Sequence, residues 1–212
     1  MKRVILVISF TFLLSSCASK NAKNDEVFNK PDIYWYQEIV KDVKINSLDK
    51  ADEAFTSLAS EHVASPLLKE AMIILAKAHA SEEEYIMANY YIDEYIKRYA
   101  TSDNIDYLKF LKIKSNFKSF KKLNRDQELL LKTINESKSF IKEFPNSKLL
   151  PDVQTILTRL YLANRVLNEN IASLYRKTGK LKAAKIYEQK VKNSWLSGIK
   201  IEENDSSVLS IF

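Results

Sequence analysis

Two stretches, LDKADEAFTSLASEHVASP at residues 48–66 and EEEYIMANYYIDEYIKRYA at residues 82–100, stand in one frame 34 residues apart. Ala54, Leu58 and Pro66 of the first recur as Ala88, Ile92 and Ala100 of the second. A period of that length marks a repeating unit of two helices. The small residues have a mechanical role, because two helices approach closely only where the side chain between them is short. Ala76 and Ala88 lie 12 residues apart, as do Ala172 and Ala184, which is the internal spacing of such a pair. The same template puts Tyr175 on the first helix of the last unit and Gly179 in its turn.

Composition agrees with the period. The chain has 212 residues, of which only two are glycine and four proline. A sheet protein would need far more punctuation, so the scarcity of breakers favours long helices. We therefore expect an all-α fold, a tetratricopeptide-like solenoid of antiparallel helix pairs with about four irregular repeats. The third unit departs from the period: KEFPNS at 142–147 aligns with KRYATS at 97–102, but 45 residues separate them. The insertion fits SFKKLNRDQE, 119–128, as a long loop between helices. Ala184 lies 51 residues beyond Thr133, so Pro151 to Lys177 is expected to hold one unusually long helix or two.

The first sixteen residues stand outside this pattern. Lys2 and Arg3 precede an apolar run from Val4 to Leu14, the layout of a secretory signal peptide. Eleven residues are too few to cross a bilayer, which takes about 20. Leu14-Ser15-Ser16-Cys17 resembles the lipobox of bacterial lipoproteins, whose cysteine is lipidated and becomes N-terminal on cleavage. The other reading is an ordinary signal with an incidental cysteine. Cys17 is the only cysteine of the chain, so no second one is present to pair with it in a disulfide. The expected organisation is a signal peptide over 1–16, a lipidated N-terminus and flexible tether over 17–30, the repeat domain over 31–195 and a tail over 196–212. By the resemblance to lipoproteins, Ala18, where an aspartate would retain the protein at the inner membrane, implies the outer membrane and its periplasmic face.

Removing Lys2 and Arg3 lowers the formal charge from +6 to +4. With both signs interleaved, this is no nucleic-acid footprint. No His-Glu-x-x-His or paired-cysteine spacing surrounds His62 or His79, and two glycines cannot build a phosphate loop. Neither an enzyme, a cofactor, a metal nor a small-molecule substrate is expected. Glu82-Glu83-Glu84 reads as a solvated loop or helix start.

Two other features invite a functional reading. The run Tyr85, Tyr90, Tyr91, Tyr95, Tyr99 can line a groove or pack inward; helical spacing puts Tyr95 and Tyr99 in the core and Tyr90 in a groove. The segment KFLKIKSNFKSFKK, Lys109 to Lys122, has six lysines and no acid. It is either a solvated face or a contact for an acidic partner or lipid headgroups, with Lys114, Lys118 and Lys121 as the residues to test.

Four stretches, ANYYIDEYI (88–96), ATSDNIDYLKFL (100–111), FPNSKLLPD (144–152) and IASLYRKTGKLKAAKIYE (171–188), together with the lipobox and tether, resemble the BamD (YfiO) family of outer-membrane assembly lipoproteins. The likeness runs from Pro31 to Trp195. Ala100 replaces the family's usual proline, and Asn193-Ser194-Trp195 replaces its closing Tyr-Pro turn. The resemblance implies a non-catalytic subunit of the β-barrel assembly (BAM) complex. Such a subunit holds the POTRA domains of a BamA-like barrel protein through its C-terminal repeats. It receives unfolded outer-membrane clients, by an aromatic-ended C-terminal segment, in an N-terminal groove. Trp35, Tyr36, Tyr90 and Tyr91 are the groove candidates, and Lys177 and Lys180, near the last turn, are partner-contact candidates. A pilotin for a secretin, or another cell-envelope adaptor, would share the anchor and the helices while binding something else.

Overall fold

A computed structural model describes residues 29–120 and 127–194. Eight helices occur among the described residues: α1 (Asp32–Lys44), α2 (Leu48–Glu61), α3 (Leu67–Ser81), α4 (Tyr85–Tyr99), α5 (Ile105–Lys118), α6 (Gln127–Glu143), α7 (Leu150–Lys177) and α8 (Leu181–Lys192). Successive helices pair as α1/α2, α3/α4, α5/α6 and α7/α8, giving four repeats of a tetratricopeptide-like, all-α solenoid. The proposed insertion, 119–128, falls largely on residues outside those described, and α6 begins at Gln127.

The turns show why the helices stop where they do. Asn46 and Glu83 take positive φ values of 56° and 62° between the helices of the first two pairs. Gly179 does the same at 72° in the last pair, a conformation that costs glycine nothing and side-chain-bearing residues strain. All four prolines, at 31, 66, 145 and 151, lie in turns or helix entrances, where a missing N–H does no harm.

The alanines act as the period demands. Ala54, Ala76, Ala88, Ala172 and Ala184 are all buried where helices meet. The region from Pro151 to Lys177 is one helix: α7 has 28 residues, about 42 Å at the standard rise of about 1.5 Å per residue. It buries Val153, Leu160 and Leu167 along one stripe.

Among the described residues the core has two parts. The first is built from α1 to α4 around Ile39, Leu58, Leu75 and Tyr91, and the second from α5 to α7 around Ile113, Phe140 and Leu160. Helix α5 serves both, with Leu111 packed on the first part and Ile113 and Phe117 in the second. Between the parts runs a polar chain: the Asn89 amide donates to Asn116 Oδ1 at 2.7 Å, and Asn116 donates to Glu136 Oε2 at 2.9 Å. Asn116 is buried, so these bonds fix the mutual setting of α4, α5 and α6, with Asn89 Oδ1 left buried and without a partner.

A second device repeats along the chain. Ser65 Oγ donates to Asp32 Oδ2 at 2.6 Å and accepts the Leu67 N–H at 3.2 Å. Ser147 Oγ donates to Asp106 Oδ2 at 2.6 Å and accepts the Leu149 N–H at 3.2 Å. In both, an aspartate in the first turn of one repeat is hooked to the serine that opens the next, so α1 is tied to the start of α3 and α5 to the start of α7.

Candidate functional site

Helices α2 and α4, the second members of the first two repeats, flank an open cavity of about 590 Å³. Its wall includes Phe55, Met72, Met87, Tyr90 and Tyr91, with Glu94 and Arg98 among the lining residues. Aromatic rings supply rigid contact area, and the two thioethers adapt to varied shapes. The Glu94–Arg98 ion pair, at 2.7 Å, adds polar groups at one turn of α4. This combination suits an extended peptide with bulky apolar side chains.

Within that wall the neighbouring tyrosines divide. Tyr90 is 50% exposed, whereas Tyr91 is 2% exposed. The Tyr91 ring meets Phe55 edge-on at 5.2 Å and stacks on His79 at 5.7 Å, while its hydroxyl donates to Asp52 Oδ1 at 2.6 Å. Burial, reinforced by the bond to the Asp52 carboxylate, pushes the Tyr91 phenol well above its ordinary pKa. Buried His79 completes the network, with Nε2 3.0 Å from Asp52 Oδ1 and Nδ1 2.6 Å from Glu84 Oε2. Three helices are thereby stitched behind the cavity, and Glu84 is a partner of a core histidine as well as a helix start.

The four groove candidates stand in different places. Tyr91 is a core residue that forms the back of the cavity. Trp35, 5% exposed, is also in the core and donates its Nε1–H to Glu61 Oε2 at 2.9 Å. The cause is helical spacing: Trp35 lies four residues before buried Ile39, and Tyr91 three residues after buried Ala88. Tyr36 is half-buried against the same core, on α1 and away from the lining of the cavity. Only Tyr90 of the four is both exposed and at the cavity. Tyr95 and Tyr99 pack partly buried on the core, as their spacing predicts.

The basic segment also divides. Lys109 pairs with Glu143 and Lys112 with Asp93, and both line a cavity of about 590 Å³ between α4, α5 and α6 that Lys132 and Glu136 share. Lys114 and Lys118 point elsewhere, to a cavity of about 330 Å³ between α3 and α5. Lys177 and Lys180 are exposed at the α7–α8 turn, with the Lys180 ammonium 5.9 Å from the Tyr175 ring centre. Cys17 and Lys121 lie outside the described residues. Among the described residues no group of three His, Cys, Asp or Glu side chains could hold a metal ion. No helix among them is long and apolar enough to cross a membrane.

A stack of paired helices with cavities between repeats defines a class, the tetratricopeptide-like repeat proteins. The family model described as "Outer membrane lipoprotein", YfiO, matches residues 29–202, and the chain belongs to this family. It is 39% identical over 188 residues to the outer membrane protein assembly factor BamD of Helicobacter pylori, covering 89% of this chain and 85% of that one. It is 24% identical over 167 residues to BamD of Xylella fastidiosa, covering 74% of this chain and 57% of the relative. The family is non-catalytic, and the chain is not an enzyme.

Proposed function

We propose that this chain is a lipid-anchored subunit of the outer-membrane β-barrel assembly complex, held on the periplasmic face through Cys17. The observation that carries the reading is the 39% identity to an outer membrane protein assembly factor across most of both chains. A lipid on Cys17 supplies the membrane attachment that none of the described helices is built to supply. The repeats then work as a scaffold: the C-terminal pair, with Lys177 and Lys180 exposed at its turn, contacts the POTRA domains of a BamA-like barrel protein. Unfolded outer-membrane clients enter the cavity between α2 and α4, where Tyr90 offers an exposed ring and the methionines accept differing side chains.

Affinity purification of the full chain from detergent-solubilised membranes tests the assignment. A BamA-like barrel protein in the eluate is the expected result. A secretin in its place, or no barrel subunit at all, overturns it.

A further inference from the structure

The first helices of successive repeats are not evenly packed. Helix α1 packs on α3 and α5 on α7, whereas α3 and α5 stand apart and leave the 330 Å³ cavity between them. Three lysines line it, Lys77 from α3 and Lys114 and Lys118 from α5, and no lining residue is acidic. Lys77 lies 5.9 Å from the Tyr107 ring centre and Lys114 6.0 Å from that of Phe110. None of the three lysines pairs with a carboxylate among the described residues, in contrast to Lys109 and Lys112 one face away on the same helix.

This arrangement has a cost in the free protein. Lys114 and Lys118 are like charges at four-residue spacing, which destabilises a helix. Ser115, 4% exposed, lies in the same wall with its hydroxyl lacking any hydrogen-bond partner. Buried hydroxyls are ordinarily satisfied. Three cations with no carboxylate partner in one cavity call for an anion from outside the chain. The wall also carries apolar surface, from Ala76, Ala80, Ile92 and Leu111, beside Ser81 and the rings of Tyr85 and Tyr107. A bare phosphate would leave that surface wet, and no arginine fork grips one there. A peptide carboxylate next to an apolar side chain satisfies both halves.

We infer that the cavity between α3 and α5 is a docking site for an acidic, partly apolar peptide segment of a protein partner, with Lys77, Lys114 and Lys118 holding its carboxylates. It is separate from the α2/α4 cavity, and it stands whether or not clients bind there.

The test is fluorescence anisotropy of the purified full chain with a labelled short peptide of alternating leucine and aspartate. The asparagine counterpart, inorganic phosphate and phosphatidylglycerol vesicles serve as the other probes. The acidic peptide should bind and its asparagine counterpart should not. Lys114→Glu with Lys118→Glu should weaken binding by about tenfold or more, and Lys109→Glu, outside the cavity, should change it by less than about twofold. Equal losses in the Lys109 and Lys114/Lys118 variants overturn the site, since they would report net charge alone. Phosphate or vesicles binding through the same lysines while the peptide fails to compete would overturn the peptide assignment in favour of a phosphate-bearing ligand.

Discussion

Tyr90 and Tyr91 are adjacent in sequence and opposite in role. The Tyr91 hydroxyl donates to a carboxylate behind the cavity, a charge-assisted bond. Tyr91→Phe should therefore lower stability by about 2 kcal/mol in urea unfolding, with helix content retained. Tyr90→Ala should cost less than about 0.5 kcal/mol, as an exposed change does, and weaken binding of an aromatic-ended client peptide several-fold. The inward face was legible in part: Tyr95 and Tyr99 follow Tyr91 at four-residue steps, and the same rule extended one turn back reaches Tyr91 itself. Trp35 misleads for a different reason, since an aromatic cluster near a chain entrance looks like a surface until its neighbours on α2 are known. A pH effect belongs at this scale too. The Ser65 hydroxyl, chief among several contacts, holds the Asp32 carboxyl below its usual pKa. A depressed native pKa means stability that is full above the ordinary carboxylate value and lost as pH falls through the native one. The urea-midpoint gap between wild type and Ser65→Ala should thus be present at neutral pH and close on acidification through that window.

At the level of elements, the helix pairs were readable because each needs small residues at fixed spacing, and the alanines at 76, 88, 172 and 184 are all buried. Ala88→Leu forces a branched chain into a position with no exposure and should destabilise by about 1–3 kcal/mol, read as a lower thermal midpoint. Gly179→Ala should cost about 1 kcal/mol although nothing crowds the site, because the penalty comes from φ alone. The hooks were not readable from the 34-residue period. Ser65-Pro66-Leu67-Leu68 and Ser147-Lys148-Leu149-Leu150 share a pattern, but the irregular third repeat sets them 82 residues apart. The gap between α3 and α5 was also hidden, since it depends on how two repeats lean together. For that reason Lys77 joins Lys114 and Lys118 only in three dimensions, and a charge count along 109–122 could not separate the paired lysines from the unpaired ones.

For the whole molecule, the repeat domain belongs to the outer-membrane lipoprotein family, and a lipid on Cys17 is the proposed anchor. Wild type should incorporate labelled palmitate and Cys17→Ala should not, with the unlabelled variant lost from the membrane fraction; an unlabelled wild type would remove the anchor. The scaffold reading makes a broader demand, because a shared assembly subunit affects every barrel that passes through it. The most direct measurement is quantitative proteomics of outer membranes after depletion of this chain. The account predicts that many unrelated β-barrel proteins fall together while lipoproteins without barrels stay. Unchanged barrel levels, or loss confined to a single secretin, would contradict it.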